Sequence, residues 1–257
     1  MILIAIVMGT VASGIGSVWL AALLSFGVLA RYTQHMLSLA AGALLATAFM
    51  HLLPEAFESQ AGAHDLFVAL LAGLVFFFLL DKAELWHHGH EHHHDHSHKL
   101  LLSTPLPLTG SWAVLAGDSV HCFGDGVLIA SAFMADIRLG VIASLAVMAH
   151  EVPHHMGDLL VLREGAGSRR TALVKVSLAG AVTALGGMLG YWLVEQLKEY
   201  LPYFLVVASS SFVYVALADL IPQLQKRLTA QETLAQIAWL MAGIGLVALV
   251  SSLAHMH

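Results

Sequence analysis

Residues 235–254 read AQIAWLMAGIGLVALVSSLA, a stretch of apolar and small residues that contains no ionisable side chain. With a rise of about 1.5 Å per residue, a helix of this length covers about 30 Å, the thickness of the hydrocarbon core of a bilayer. Helices of soluble proteins normally carry a polar, charged face on the side away from the core. The stretch therefore predicts a membrane-spanning helix.

Comparable apolar runs recur along the whole chain, and their number predicts eight transmembrane helices. We expect an all-α, polytopic membrane protein with a single transmembrane domain over residues 1–257, whose first run spans the bilayer and is not a cleaved leader. The composition agrees, because 58% of the 257 residues are hydrophobic, only 11% are charged and the mean hydropathy is +0.80. The runs cover about residues 2–29, 36–57, 64–86, 110–134, 138–162, 172–194, 202–222 and 235–254.

The distribution of charge predicts the orientation and the partners. A formal net charge of −6 with few basic residues excludes nucleic acid as a partner and leaves the bilayer. By the positive-inside rule, both termini face away from the cytoplasm in a multi-pass protein of the cell membrane. Only Arg138 and Lys198 then lie outside, and the inner connections hold Arg31, Lys82, Lys99, Arg163, Arg169, Arg170, Lys175, Lys226 and Arg227.

Two segments resemble each other across the chain. FMHLLPE at 49–55 in the second run is similar to LADLIPQ at 217–223 in the seventh. The seventh run follows the second by five positions, and such an odd offset reverses the direction in which the helix crosses the membrane. The pattern predicts an inverted repeat of three helices on each side of a central pair, a plan that transporters often use.

The segment between the third and fourth runs is rich in histidine. HHGHEHHHDHSH at 87–98 holds eight of the 17 histidines. This composition predicts a cytoplasmic loop over 87–108, which binds zinc, nickel or copper loosely or serves only as a solvated linker.

The fourth and fifth runs carry polar motifs at mid-membrane, GDSVHCFGDG at 117–126 and HEVPHHMGD at 150–158. Ionisable residues at that depth cost about 2.5–3.5 kcal/mol each, so they mark a pathway or a site. Residues at i and i+4 share a helix face, which pairs His121 with Asp125 and His150 with His154. If these faces meet, three imidazoles and a carboxylate form the ligand set that zinc takes, although a purely structural polar network is the alternative.

A neighbouring face and a second pair of positions extend this set. Cys122 on one helix faces Glu151 and His155 on the other, where they hold a second ion or load the first. Asp118 and Asp158 lie about one turn beyond, where each orients a ligand or forms the next step of a path. A separate group of residues has either a pathway role or a capping and interfacial one: His51, Glu55 and Asp219.

Proline and glycine in these motifs carry structural expectations. Pro153 lacks an amide proton, so it frees the Ala149 carbonyl and bends the fifth helix. Gly117, Gly124, Gly126 and Gly157 are expected to permit close helix approach.

Together the two motifs resemble the ZIP family of metal transporters, whose corresponding spans read roughly GDGxHNFxDG and HExPHExGD. HLLPEA at 51–56, YVALADLIP at 214–222, the histidine-rich loop and eight spans extend the resemblance over nearly the whole chain. It implies a homodimer without a catalytic cofactor that moves zinc, and variously iron, manganese or cadmium, into the cytoplasm. The implied site comprises His121, Asp125, His150 and His154, with Glu151 at a second position.

Two departures from the family pattern alter the expected selectivity. Cys122 stands where the pattern has asparagine, and His155 stands where it has glutamate. Softer sulfur and nitrogen ligands favour zinc or cadmium over manganese. A second site bridged by a carboxylate is then open to question.

Other classes of protein share single features of the chain. HEVPH at 150–154 also fits HExxH, the zinc-protease motif, which makes an intramembrane metalloprotease the enzyme alternative. Cation diffusion facilitators use HxxxD pairs and histidine-rich loops but typically have six spans. A metal sensor without transport is a third alternative.

Overall fold

A computed structural model describes residues 1–25, 33–89, 108–166, 168–221 and 229–255. The described residues form helices joined by short turns, and the histidine-rich tract at 90–107 lies outside them. The α-helices are α1 (Ile2–Val11), α2 (Ser17–Ser25), α3 (Thr33–Thr47), α4 (Leu53–Phe57), α5 (Ala63–Gly89), α6 (Leu108–Ala135), α7 (Ile137–Ala166), α8 (Arg169–Gln196), α9 (Leu201–Tyr214) and α10 (Ala230–His255).

Three of the predicted spans contain a π-helical turn. Ala12–Gly16 joins α1 to α2 in the first span, Ala48–Leu52 joins α3 to α4 in the second, and Val215–Leu220 extends α9 in the seventh. The last two turns fall on the two segments whose sequences resemble each other. π-helical turns are rare and occur mostly at functional sites, so this match supports the repeat.

The prediction of an all-α membrane protein is confirmed. Six helical stretches of the described residues are long and apolar enough to cross a bilayer. They cover Ile2–Leu24, His35–Phe57, Ala63–Leu80, Arg169–Gln196, Lys198–Ala218 and Ala230–Ser252. The other two predicted spans are α6 and α7, which have 28 and 30 residues but carry the polar motifs that lower their hydropathy.

The packing partners follow the order that an inverted repeat predicts. α3 of the second span packs against α10, and α9 of the seventh span packs against α5 of the third. Exchanging the two halves converts one of these pairs into the other. Likewise, α2 of the first span packs against α7, while α8 of the sixth packs against α6. The central pair α6 and α7 is therefore enclosed by equivalent helices from both halves.

The hairpin between α6 and α7 is closed by Asp136. α6 ends at Ala135 and α7 begins at Ile137. The Asp136 carboxylate accepts hydrogen bonds from the backbone amides of Arg138 (2.7 Å) and Leu139 (3.4 Å), which satisfies amides that a helix start leaves free. The two motif helices are thus antiparallel neighbours.

Proline and glycine behave in part as expected. α7 continues as an α-helix through Pro153 to Ala166, and the bend expected at this proline stays a prediction. A Cβ added at Gly126 would overlap the Thr183 carbonyl oxygen of α8, so this glycine permits the close approach of α6 and α8. Gly124 and Gly157 instead face open space, and the close-approach prediction is wrong for these two.

Candidate metal centre

Four ligand atoms from α6 and α7 meet in cluster A, which consists of His121, Asp125, His150 and Glu151. The Nε2 atoms of the two imidazoles are 3.3 Å apart. Glu151 Oε1 lies 3.2 Å from Nε2 of His121 and 3.3 Å from Nε2 of His150. Asp125 Oδ2 lies 3.2 Å from Nε2 of His150 and 3.9 Å from that of His121. The four atoms therefore surround one point.

These separations match a tetrahedral metal site. Ligands about 2.0–2.2 Å from a tetrahedral zinc ion are about 3.3–3.6 Å from one another. His150, Glu151 and Asp125 are each at most 2% exposed, so the arrangement lies in the interior of the helix bundle. Two ionised carboxylates beside two neutral imidazoles leave a buried net negative charge, which a divalent cation neutralises.

Cluster B is the neighbouring group of Asp118, Cys122, Glu151 and His155, all of them buried. His155 Nε2 lies 3.0 Å from Glu151 Oε2 and 3.7 Å from Asp118 Oδ1. The Cys122 sulfur lies 3.6 Å from Asp118 Oδ1 and 3.7 Å from Glu151 Oε2. Because zinc–sulfur bonds are about 2.3 Å long, separations near 3.6 Å also fit a shared ion.

Glu151 belongs to both clusters. Its Oε1 atom points to the imidazoles of cluster A, and its Oε2 atom points to His155 in cluster B. The side chain thus faces both clusters, which is the position that a bridging carboxylate would take. Cys122 and His155 stand on the far side of this bridge from His121 and His150.

His154 lies apart from cluster A. Its Nδ1 atom is 3.3 Å from Asp158 Oδ2 and 3.8 Å from Asp118 Oδ1, and these three residues form cluster C. The His154 ring stacks on the ring of His121, with centroids 5.6 Å apart and an interplanar angle of 20°. The structure therefore places Glu151, and not His154, among the four atoms of cluster A.

Hydrogen bonds outside the clusters fix the tautomers of two imidazoles. Nδ1 of His150 lies 3.3 Å from the Ala146 carbonyl, which can only accept, so Nδ1 carries the proton. The Ser17 hydroxyl donates to the Gly14 carbonyl at 2.6 Å and so accepts from Nδ1 of His155 at 3.0 Å. In both rings Nε2 is then the nitrogen that faces a cluster and is available as a ligand atom.

Ser17 contacts a candidate ligand, His155, and was missed by sequence analysis. It comes from the first span, on α2, and lies more than 130 positions from its partner His155. The available signal was a pair of hydroxyls, Ser13 and Ser17, spaced i, i+4 in an apolar run. Ser13 Oγ is within hydrogen-bonding distance of the Gly9 and Ser144 carbonyls and ties the first span to α7.

The remaining candidates lie away from the clusters. His51 and Glu55 line a cavity of about 400 Å³ at the hairpin end of α6 and α7, together with Glu58, Asp136 and Arg138. The backbone of Asp219 belongs to the π-helical turn Val215–Leu220, and its side chain lies outside the described part of the chain.

Comparison with known proteins places this chain in a family. A family model described as ZIP zinc transporter matches residues 81–251, which includes both motif helices. The chain belongs to the ZIP zinc transporter family. The family is one of transporters and not of enzymes, which sets the protease alternative aside.

Several ZIP relatives share the sequence over much of its length. Zinc transporter foi of Drosophila melanogaster is 33% identical over 175 residues, 67% of this chain and 24% of that protein. Zinc transporter ZIP13 of Pongo abelii is 28% identical over 240 residues, covering 86% of this chain and 68% of the relative. Zinc transporter ZIP4 of Homo sapiens is 30% identical over 258 residues, covering 78% and 40%. The chain thus spans about a quarter of foi and less than half of ZIP4.

Proposed function

We propose that this chain carries divalent transition-metal ions across the bilayer, zinc first among them, through clusters A and B between α6 and α7. The observation that carries the proposal is the set of distances in cluster A, where all ligand contacts given above fall between 3.2 and 3.9 Å. A hydrogen-bonded network that only joined two helices would not need both imidazole Nε2 atoms to face one point.

The donor atoms support zinc over harder ions. Cluster A offers two nitrogens and two oxygens, and cluster B adds the sulfur of Cys122. Nitrogen and sulfur favour zinc and cadmium, whereas manganese prefers oxygen. The metal is the transported substrate, and iron or manganese would follow with lower preference.

Glu151 supports passage through two adjacent positions. Because its two oxygens face different clusters, an ion can change clusters while the same carboxylate remains a ligand. Two cations held on either side of one carboxylate also repel each other, which weakens the binding of both. Transport needs this, since a site must bind strongly enough to load and weakly enough to release.

The cavity at the hairpin end supports a direction of entry. Its lining includes His51, Glu55 and Glu58, groups that attract cations. On the orientation predicted from the basic residues, this end faces away from the cytoplasm, and the termini lie on the same side. We infer uptake from the cavity through clusters A and B into the cytoplasm, by a homodimer of this chain.

The geometry also bears on the protease alternative. In an HExxH protease both histidines bind one ion while the glutamate activates water. Here His150 lies in cluster A, His154 lies in cluster C and Glu151 points at ligand imidazoles of both clusters A and B. The histidines and the glutamate of HEVPH thus serve as ligands in successive clusters and do not surround one ion together with a catalytic water.

Uptake of radioactive zinc into metal-free proteoliposomes tests the proposal. We expect wild-type protein to fill the vesicles, and His121→Ala and His150→Ala to transport at background rate. Asp65→Asn, at an exposed carboxylate at the start of α5, is the control and should transport like wild type. Empty wild-type vesicles containing folded protein that binds zinc would overturn the proposal in favour of a sensor.

A further inference from the structure

Cluster C has its own set of convergent ligand atoms. Asp118, His154 and Asp158 each offer an atom within 4.8 Å of the others. The separations from His154 Nδ1 are 3.3 Å to Asp158 and 3.8 Å to Asp118, close to the spacing of about 3.3–3.6 Å expected around a tetrahedral ion. The distances between ligand atoms in cluster C are therefore similar to those in clusters A and B, although cluster C has three residues and the others have four.

Three polar atoms of cluster C have no hydrogen bond among the described residues, whereas Asp118 Oδ1 accepts one from the Cys122 thiol at 3.6 Å. His154 Nδ1, Asp118 Oδ2 and Asp158 Oδ2 are buried and make no hydrogen bond of acceptable geometry. Asp118 is 3% exposed and Asp158 is 9% exposed. Buried polar atoms are normally paired, because leaving one unsatisfied is costly. Two carboxylates beside one imidazole also leave net negative charge in any protonation state of the imidazole, which a divalent cation would offset.

The position of cluster C is one step along the path from cluster A. Asp158 follows His154 by one turn on α7, and Asp118 precedes Cys122 by one turn on α6, so cluster C lies farther from the α6–α7 hairpin. The side chain of His154 is 37% exposed, compared with 25% for His121 in cluster A and 0% for His155 in cluster B. Cluster C is thus the more open end of the ligand series.

We propose that cluster C is a third divalent-cation site, which receives the ion from clusters A and B before its release. The assignment rests on the proposed function, because the delivered ion is the transported one. Asp118 is shared between clusters B and C, and the His154 ring stacks on the cluster A ligand His121. These two residues connect the sites, so an ion can pass on without entering apolar surroundings.

The number of bound zinc ions tests the assignment. Asp158 and His154 belong to cluster C alone, and Asp158→Asn keeps the size of the side chain while removing its charge. We expect equilibrium binding of radioactive zinc to purified, metal-stripped protein in detergent to fall by one ion in Asp158→Asn. His150→Ala should lose the cluster A ion, and the double variant should lose both. Asp65→Asn is the control with unchanged binding.

The outcomes separate this assignment from the proposed function. Ions held by the histidine-rich segment contribute equally to all variants and cancel. An Asp158→Asn protein that binds as many zinc ions as wild type, with equal affinity, would overturn the assignment. Loss of several ions would do so too, because Asp158 would then hold the helices in place. If the counts agree but wild-type vesicles take up no zinc, the transport proposal fails and the third site stands.

Discussion

The Oγ atom of Ser17 in the first span lies 3.0 Å from Nδ1 of His155 in the fifth, and its own proton is donated to the Gly14 carbonyl. The hydroxyl therefore accepts from Nδ1 and directs Nε2 of the ring towards Glu151. Outer hydrogen bonds of this kind commonly change metal affinity by about 10- to 100-fold. A residue of α2, outside the two motif helices, thus orients the imidazole of His155 on α7.

We expect Ser17→Ala to weaken zinc binding at cluster B by about 10- to 100-fold, because the ring loses the partner that fixes its tautomer. Competition with a fluorescent chelator measures the affinity, and nitrogen NMR of the metal-free protein reports which His155 nitrogen carries the proton. Ser252→Ala is the control and should leave both readouts unchanged, because Ser252 is exposed and its hydroxyl donates to the Leu249 carbonyl of its own helix. Equal affinities for the Ser17 variant and wild type would contradict the role.

Cys122→Asn tests selectivity. Replacing sulfur with an amide oxygen removes the soft ligand of cluster B, so we expect the ratio of cadmium to manganese uptake to fall. Parallel uptake of the two ions into proteoliposomes measures the ratio directly. A ratio equal to that of wild type would mean that the sulfur does not contact the transported ion.

Glu151→Gln tests the bridge. The amide keeps the size of the side chain but has one oxygen and no charge, so it cannot serve both clusters as an anionic ligand. We expect zinc affinity to drop at least about tenfold at clusters A and B together, and uptake to fall with it. Affinity titrations of this variant and of His155→Ala separate the cases, because the latter should affect cluster B alone. A loss confined to one cluster would show that Glu151 does not bridge.

Gly126→Ala and Gly124→Ala form a pair that tests helix packing. The added methyl group at Gly126 would meet the Thr183 backbone, and overpacking of this kind costs about 1–3 kcal/mol. At Gly124 the methyl group meets open space, so the change is neutral or stabilises α6 by up to about 1 kcal/mol. Thermal unfolding in detergent should show a lower midpoint for Gly126→Ala only. A shared shift would argue against close packing of α6 on α8.

The helical fold and the meeting of α6 with α7 follow directly from sequence pattern, because length, hydropathy and i, i+4 spacing depend on local geometry. The cluster to which His154 belongs does not follow from the sequence pattern. His121 and Asp125 are four residues apart and both reach cluster A, whereas His150 and His154, at the same spacing, face different clusters. The spacing gives the shared helix face but not the direction in which each side chain turns. Glu151 joins two clusters because its carboxylate has two oxygens, which a one-face description of the helix does not represent.

Contacts between distant segments were beyond sequence reasoning for another reason. The partner of His155 comes from the first span, and no spacing within α7 indicates it. The glycines illustrate the same limit, since Gly124 and Gly126 are identical in local sequence terms but only Gly126 faces another backbone. Which face of a helix meets a neighbour is decided by the whole bundle.

The π-helical turn Ala12–Gly16 directly precedes Ser17. Such a turn accommodates one residue more than the α-helical turn it replaces, and one residue corresponds to about 100° of rotation about the helix axis. If the same residues were wound as a regular α-helix, the Ser17 hydroxyl would turn about a quarter of a circle away from His155. The orientation of a candidate metal ligand in the fifth span thus depends on one extra residue in a helical turn of the first span.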